Sequence, residues 1–133
     1  MPTVFSRIIE GEFPAAFVHR DDRCAVFMAK DPLARGHALV VPLDEVDHWI
    51  DLDDGLLAHL TAVARRVGVA QRRAFAPRRI GIIVAGYEVP HTHIHVIPTN
   101  SMGDLSFAGA TPDVPLAELE LAAGAIRAHF EAS

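Results

Sequence analysis

Residues 91–98 run His-Thr-His-Ile-His-Val-Ile-Pro, and this strict alternation of imidazoles with β-branched side chains constrains the fold more than any other stretch of the chain. Successive side chains of an extended backbone point to opposite faces, so the spacing predicts a strand with His91, His93 and His95 on one side and Thr92, Ile94 and Val96 on the other. Residues two apart on a strand stand roughly 6.5–7 Å from each other. That is near enough to share a metal, a phosphate or a proton relay. Pro90 and Pro98 fall at the start and end of the expected strand, where a sheet tolerates a missing N–H donor.

Four further strands and two helices follow from the remaining pattern. Residues 16–20 and 23–29 flank the polar pair Asp21-Asp22, which suits a hairpin, and residues 37–42 form a third strand stopped by Pro42. Leu57, Leu60, Ala64 and Val67 recur at helical spacing behind Asp51, Asp53 and Asp54, which suit the cap and first turn of a long helix reaching about Ala74, before Pro77. The apolar run 80–85 is too short for an independent helix and predicts the fourth strand, paired with the histidine strand as a second hairpin. Residues 99–114 read as loop and Leu116–Phe130 as a closing amphipathic helix. The expected fold is α+β, a five-stranded, mainly antiparallel sheet with one long helix between the third and fourth strands and a C-terminal helix, in a single domain of residues 1–133.

A chain of 133 residues buries about two-thirds of its unfolded surface without staples. One cysteine, Cys24, rules out an internal disulfide framework, and no CxxC or CxxH spacing marks a structural zinc site. A net charge of −5 offers no footprint for duplex nucleic acid. There is no apolar stretch near the length of a membrane span, and residues 1–4 do not begin a signal peptide. A cytoplasmic protein is expected, with no membrane partner.

His19, His59 and His129, each alone in its segment, are expected to be hydrogen-bonded structural residues. Three alternating histidines differ, because burying them without a task costs desolvation and repulsion. A metal site of the cupin kind needs a carboxylate a few residues on, and none occurs before Asp104. A three-histidine zinc geometry stays open on spacing alone. Attack on phosphorus fits better: a neutral imidazole displaces a leaving group and is itself displaced by water, while a neighbour kept protonated steadies the phosphoryl oxygens or protonates the departing group.

The motif His91-x-His93-x-His95 resembles the signature of the histidine triad nucleotide hydrolase and transferase family. Residues 5–15 resemble that family's opening helix and turn, Asp21-Asp22 its first hairpin, and the segment from Pro32 through Gly36-His37 to Pro42 its third strand. The likeness covers residues 4 to about 98, leaving 99–133 as loop and terminal helix, and is nearest the phosphoramidase and dinucleoside polyphosphate hydrolase branches. It implies that His93 attacks the α-phosphorus of a nucleotide, that His95 contacts the phosphate and helps the leaving group go, and that His91 and His37 orient His93. It implies substrate contacts at Val4, Phe5, Ile8, Phe27, Met28, Ala29, Glu88 and Val89, a purine nucleotide or nucleotide conjugate as ligand, no cofactor and no metal. A histidine at 95, where the uridylyltransferase branch has glutamine, implies hydrolysis, and the family's edge-to-edge pairing of sheets implies a homodimer.

The chain departs from the family at several positions. Counted back without gaps, its Asn-x-Gly-x-x-x-Gly-Gln segment meets Ile80 at the asparagine, Gly86 at the retained glycine and Tyr87 at the glutamine, and the chain's single Asn and Gln, Asn100 and Gln71, lie elsewhere. Ala29 replaces the acid that holds the ribose hydroxyls. Glu88 stands where a phosphate-contacting Ser or Thr is usual, with Lys30 and Arg35 as candidate counter-charges. The apolar pocket residues could equally be plain core, and the loop from Thr99 to Asp113, with Met102, Leu105 and Phe107, either closes over the site or is a surface connection.

Overall fold

The first reversal of the chain is made by one side chain. Asp21 Oδ1 accepts the backbone N–H of Arg23 and of Cys24, both at 2.8 Å, and so turns β1 (Phe17–Arg20) into β2 (Cys24–Met28). The computed structural model describes residues 2–130; Met1 and residues 131–133 of the expected domain lie outside it. A short helix α1 (Val4–Ile9) precedes the hairpin, and β3 (Ala38–Pro42), α2 (Asp54–Phe75), β4 (Arg79–Ile83), β5 (Ile94–Thr99) and α3 (Leu116–Phe130) follow. The five strands form one antiparallel sheet in the order β1-β2-β3-β5-β4, giving the α+β fold expected from the pattern. Among the described residues, no helix is long and apolar enough to cross a membrane.

Strand alternation divides the sheet into two working faces. Val26, Met28, Val40, Ile94 and Val96 point toward α2 and α3 and build the larger core with Leu60, Val67, Ile126 and Phe130. Full burial of each such side chain contributes about 1.5–3 kcal/mol. Ala25, Phe27, Leu39 and Val41 point the other way, under Phe5 and Ile9 of α1. Leu39 is paired with His95, which puts that histidine on the α1 face.

Helix α2 starts where Asp53 accepts the Leu56 N–H at 2.7 Å. It runs one residue past the expected end, closing with Ala76 in the left-handed conformation (φ 49°) ahead of Pro77. Helix α3 has the bounds read from the sequence.

The largest departure from expectation lies at the motif itself. β4 stops at Ile83 rather than residue 85, and β5 begins only at Ile94, so His91 and His93 precede the strand instead of sharing a ridge on it. The cause is a tether outside the ladder: the N–H and the hydroxyl of Thr92 both donate to Val46 O at 2.7 Å, and the His91 N–H donates to Val89 O at 2.8 Å. Pro90 therefore lies ahead of the strand. Pro98 lies within it, opposite Ile80 and beyond Val96, the last residue of β5 paired to β3.

Candidate active site

Although only His95 is in the strand, the structure brings His37, His91, His93 and His95 together, all buried. The rings of His93 and His95 are 4.7 Å apart between centroids, and those of His37 and His95 are 5.1 Å apart. Phe5 of α1 sets its ring edge-on to His93 at 4.8 Å.

The hydrogen bonds fix the tautomers. His93 Nδ1 lies 2.8 Å from the backbone carbonyl of His91. A carbonyl oxygen only accepts, so Nδ1 carries the proton and Nε2 presents a lone pair. His37 Nδ1 accepts the Leu33 N–H at 3.0 Å, which leaves the His37 proton on Nε2, where it is donated to His95 Nδ1 at 2.9 Å. The His95 proton is then on Nε2. Among the described residues, neither His93 Nε2 nor His95 Nε2 has a partner, and neither is sealed from solvent. One ring thus offers an open nucleophile and its neighbour an open N–H donor.

His91 is held from both sides. Its Nε2–H donates to Pro42 O at 2.7 Å, and its Nδ1 accepts the Thr3 hydroxyl at 2.7 Å. Thr3 caps α1 by accepting the Ser6 N–H at 3.1 Å, and Glu45 accepts both the Thr3 N–H and the Ser6 hydroxyl. Those two bonds, the hydroxyl's first, hold the Glu45 carboxyl below the usual carboxylate range.

Burial, and then the nearby His95 and His93, pushes His37 down to about 3. Burial, followed by His93, pushes His95 down to about 4. His93 is also lowered, chiefly by burial, against the opposing pull of the His91 carbonyl and the Glu88 charge. These three rings are neutral at pH 7. That corrects the expectation of a neighbour kept protonated: burial is the leading cause of the neutrality, and the donor at His95 arises from tautomer rather than charge.

A pocket of about 490 Å³ opens beside Phe5, lined by Val4, Phe5, Ile8, Phe27 and Met28 as expected, and also by Phe13, Leu39 and Leu119. Ala29, Glu88 and Val89 do not line it. Ala29 is buried on the same sheet face, its N–H donating to His37 O, and Val89 packs against the apolar cluster of that face. Glu88 is exposed. Neither expected counter-charge meets it: Lys30 pairs with Asp113 at 3.2 Å, and Arg35 lies over the Phe75 ring. Ile80, matched by counting to the family's asparagine, packs against Gly68 of α2 on the helix face, so a side chain there does not reach the histidines.

The loop after β5 does cover part of the site. Phe107 sets its ring 5.1 Å from His95, and Leu105 occupies the space that a side chain at Gly81 would fill, whereas Met102 is exposed. Two supports escaped the sequence reading. Gln71, fully buried in α2, donates both amide hydrogens through the sheet, to Gly36 O and Val96 O at 2.8 Å, next to His37 and His95. Its position continues the apolar stripe 60-64-67, and a polar residue on such a stripe is the signal that marks it. Thr3 carried no signal, because its partner is 88 residues away.

Known proteins agree with this arrangement. The HIT domain family model matches residues 10–102. An uncharacterized HIT-like protein of Methanocaldococcus jannaschii is 33% identical over 121 residues, covering 87% of this chain and 94% of its own. The crystal structure of a hypothetical histidine triad nucleotide-binding protein from Sulfolobus tokodaii superposes with a TM-score of 0.85 at 27% identity, over 97% of this chain and 92% of that one. A Hit-like protein involved in cell-cycle regulation from Bartonella henselae, crystallised with an unknown ligand, gives 0.85 and 27% over 96% and 95%. With its four clustered histidines and its five-stranded sheet, this chain belongs to the HIT domain family.

Proposed function

We propose that the protein hydrolyses a purine nucleoside phosphoramidate, or another nucleotide substituted at its α-phosphate, in two steps through His93 and without a metal or cofactor. The observation that carries this reading is the pairing of an open lone pair on His93 Nε2 with an open N–H on His95 Nε2, on rings 4.7 Å apart. His93 Nε2 attacks phosphorus, and the bond to the leaving group breaks as the phosphorus–nitrogen bond forms. The His91 carbonyl steadies the charge that His93 then acquires. The Nε2–H of His95 donates to a phosphoryl oxygen as charge builds there, and the departing group takes its proton from solvent. Water attacks the nucleotidyl-imidazole in turn, its hydroxyl going to phosphorus and its proton to solvent, and His93 leaves with its Nε2 lone pair restored.

The base takes the pocket beside Phe5, with Val4, Ile8, Phe27 and Met28. No acid at position 29 and no side chain at position 80 grips the nucleotide, so the ribose and phosphate are held by fewer groups than the family pattern implies. The S. tokodaii relative, described as nucleotide-binding, supports the ligand class. We place the reaction in the cytoplasm, in keeping with a buried free thiol at Cys24.

The second subunit is a copy of this chain. β4 is a sheet edge carrying Ile82 at 58% exposure, and beside it a groove of about 450 Å³ runs along α2. Pairing of two β4 edges covers both.

The test is to incubate the protein with an adenosine phosphoramidate and follow intact mass, product and metal content, for the native chain and His93→Ala. Metal-free turnover with a nucleotidyl adduct that His93→Ala lacks is expected. Tight nucleotide binding with neither turnover nor adduct would replace this reading with that of a binding module, and turnover requiring stoichiometric zinc would replace it with a metalloenzyme.

A further inference from the structure

A second set of ligand atoms converges away from the histidine cluster, where the β1–β2 hairpin meets α2. We propose that His19, Asp21, Cys24 and His59 form a binding site for a divalent ion of the zinc type. Nε2 of His19 and Nε2 of His59 each lie 2.9 Å from Asp21 Oδ2, and Cys24 Sγ lies 3.6 Å from the same oxygen. The ligand atoms of His19, Asp21 and Cys24 are all within 4.8 Å of one another.

Those distances match a site that has closed on itself. With metal–nitrogen and metal–oxygen bonds of about 2.0 Å and metal–sulfur of about 2.3 Å, tetrahedral ligand atoms stand roughly 3.3 Å (N to O) and 3.5 Å (S to O) apart. The sulfur is already in place, and the His19 ring has to withdraw by about 0.4 Å. His59, reaching the same oxygen from α2, swings inward to the fourth position. Two imidazoles, a thiolate and one carboxylate oxygen make a set that favours zinc over magnesium or calcium.

The scaffold is set beforehand. Asp21 Oδ1 is fixed by two backbone N–H groups, which aims Oδ2 at the other ligands, and the His19 ring rests against Phe130 of α3 at 4.9 Å. Cys24 is buried, but the side chains of His19, Asp21 and His59 are 17–29% exposed, which gives an ion its entry. Burial first, then the Asp21 charge, pushes the Cys24 thiol up to about 12. A dication makes Asp21 a shared ligand, and the thiol proton passes to solvent. On binding, each imidazole offers its Nε2 lone pair, with the ring proton on Nδ1. The ion would clamp the hairpin to α2 and, through His19, to the end of α3.

Cys24 is the chain's single cysteine, so a cobalt–thiolate signal can come from no other site. Titrating the reduced, full-length protein with Co²⁺ should give a near-ultraviolet sulfur-to-cobalt charge-transfer band that saturates at one ion per chain. It should be accompanied by visible absorption of tetrahedral intensity, and Zn²⁺ should displace it. The band should survive in His93→Ala, vanish in Cys24→Ser and need at least about tenfold more Co²⁺ in His19→Gln. Cobalt binding without a thiolate band, or a band undiminished in His19→Gln, would overturn the proposal. Both readouts stand even if Cys24→Ser does not fold.

Discussion

Thr3 connects the start of α1 to His93, the proposed nucleophile: its hydroxyl holds the His91 ring, and the His91 carbonyl holds His93. Valine at position 3 keeps the shape and removes the donor, leaving His91 Nδ1 buried and unpaired, a loss of about 1–3 kcal/mol. Thr3→Val is therefore expected to lower kcat on the order of tenfold with little change in KM. Thr3→Ser should restore it, and a role in stability alone would leave kcat per folded molecule unchanged. Steady-state kinetics of both variants, with folded fractions from circular dichroism, decide the matter. Single positions of this kind were the least legible part of the sequence. The histidines announced themselves by spacing, whereas Thr3 and Gln71 act through partners that the fold alone brings near.

Elements were legible in proportion to how local their causes are. Asp53 and Pro77 bracket α2, and Asp21 turns the first hairpin, because capping and turn chemistry act over a few residues. The start of β5 was misplaced because alternation shows that residues 91–95 can extend, not that a ladder partner is present, and the tether from Thr92 to Val46 competes for that backbone. Val4, Phe5, Ile8, Phe27 and Met28 lie on α1 and β2 and line the pocket, whereas Ala29 follows the end of β2, Glu88 and Val89 precede β5, and none of these three lines it. The loop after β5 owes its seat to a gap in β4: a Cβ on Gly81 would come within 2.8 Å of Leu105 Cδ2. Gly81→Val should expel Leu105 and free the Phe107 segment from His95. The expected result is faster proteolytic cleavage between residues 101 and 113 and a raised KM. A loop that stays protected would show that Leu105 does not anchor it.

At the scale of the whole molecule, the buried imidazoles link stability to pH. His37 and His95 are held at about 3 and about 4, both below the unfolded value of 6.5. The unfolded chain therefore binds more protons between those limits, so their contribution is complete above pH 6.5 and is lost as pH falls through that window. Each tenfold change in proton affinity is about 1.4 kcal/mol, which makes the combined loss several kcal/mol. Urea midpoints should drop steadily from pH 6.5 to 4, before the carboxylates of Asp21 and Glu45 titrate, and His37→Asn should flatten that slope. A flat native profile across the window would contradict the burial argument. The proposed pairing of β4 edges makes a separate prediction: Ile82→Arg should sediment as a monomer while the native chain sediments as a dimer. A native monomer would sink the pairing and leave the chemistry of His93 untouched.

The group that fixes the His93 tautomer is a peptide oxygen, shared by every amino acid that could stand at position 91. Systematic replacement of side chains by alanine would pass over it without a signal, crediting the imidazole of His91 with whatever its loss does to the peptide beneath. An ester placed between residues 91 and 92 weakens that acceptor with all side chains in place, and although it also removes the Thr92 N–H, the Thr92 hydroxyl still donates to Val46 O, so main-chain chemistry rather than side-chain substitution is the way to weigh it.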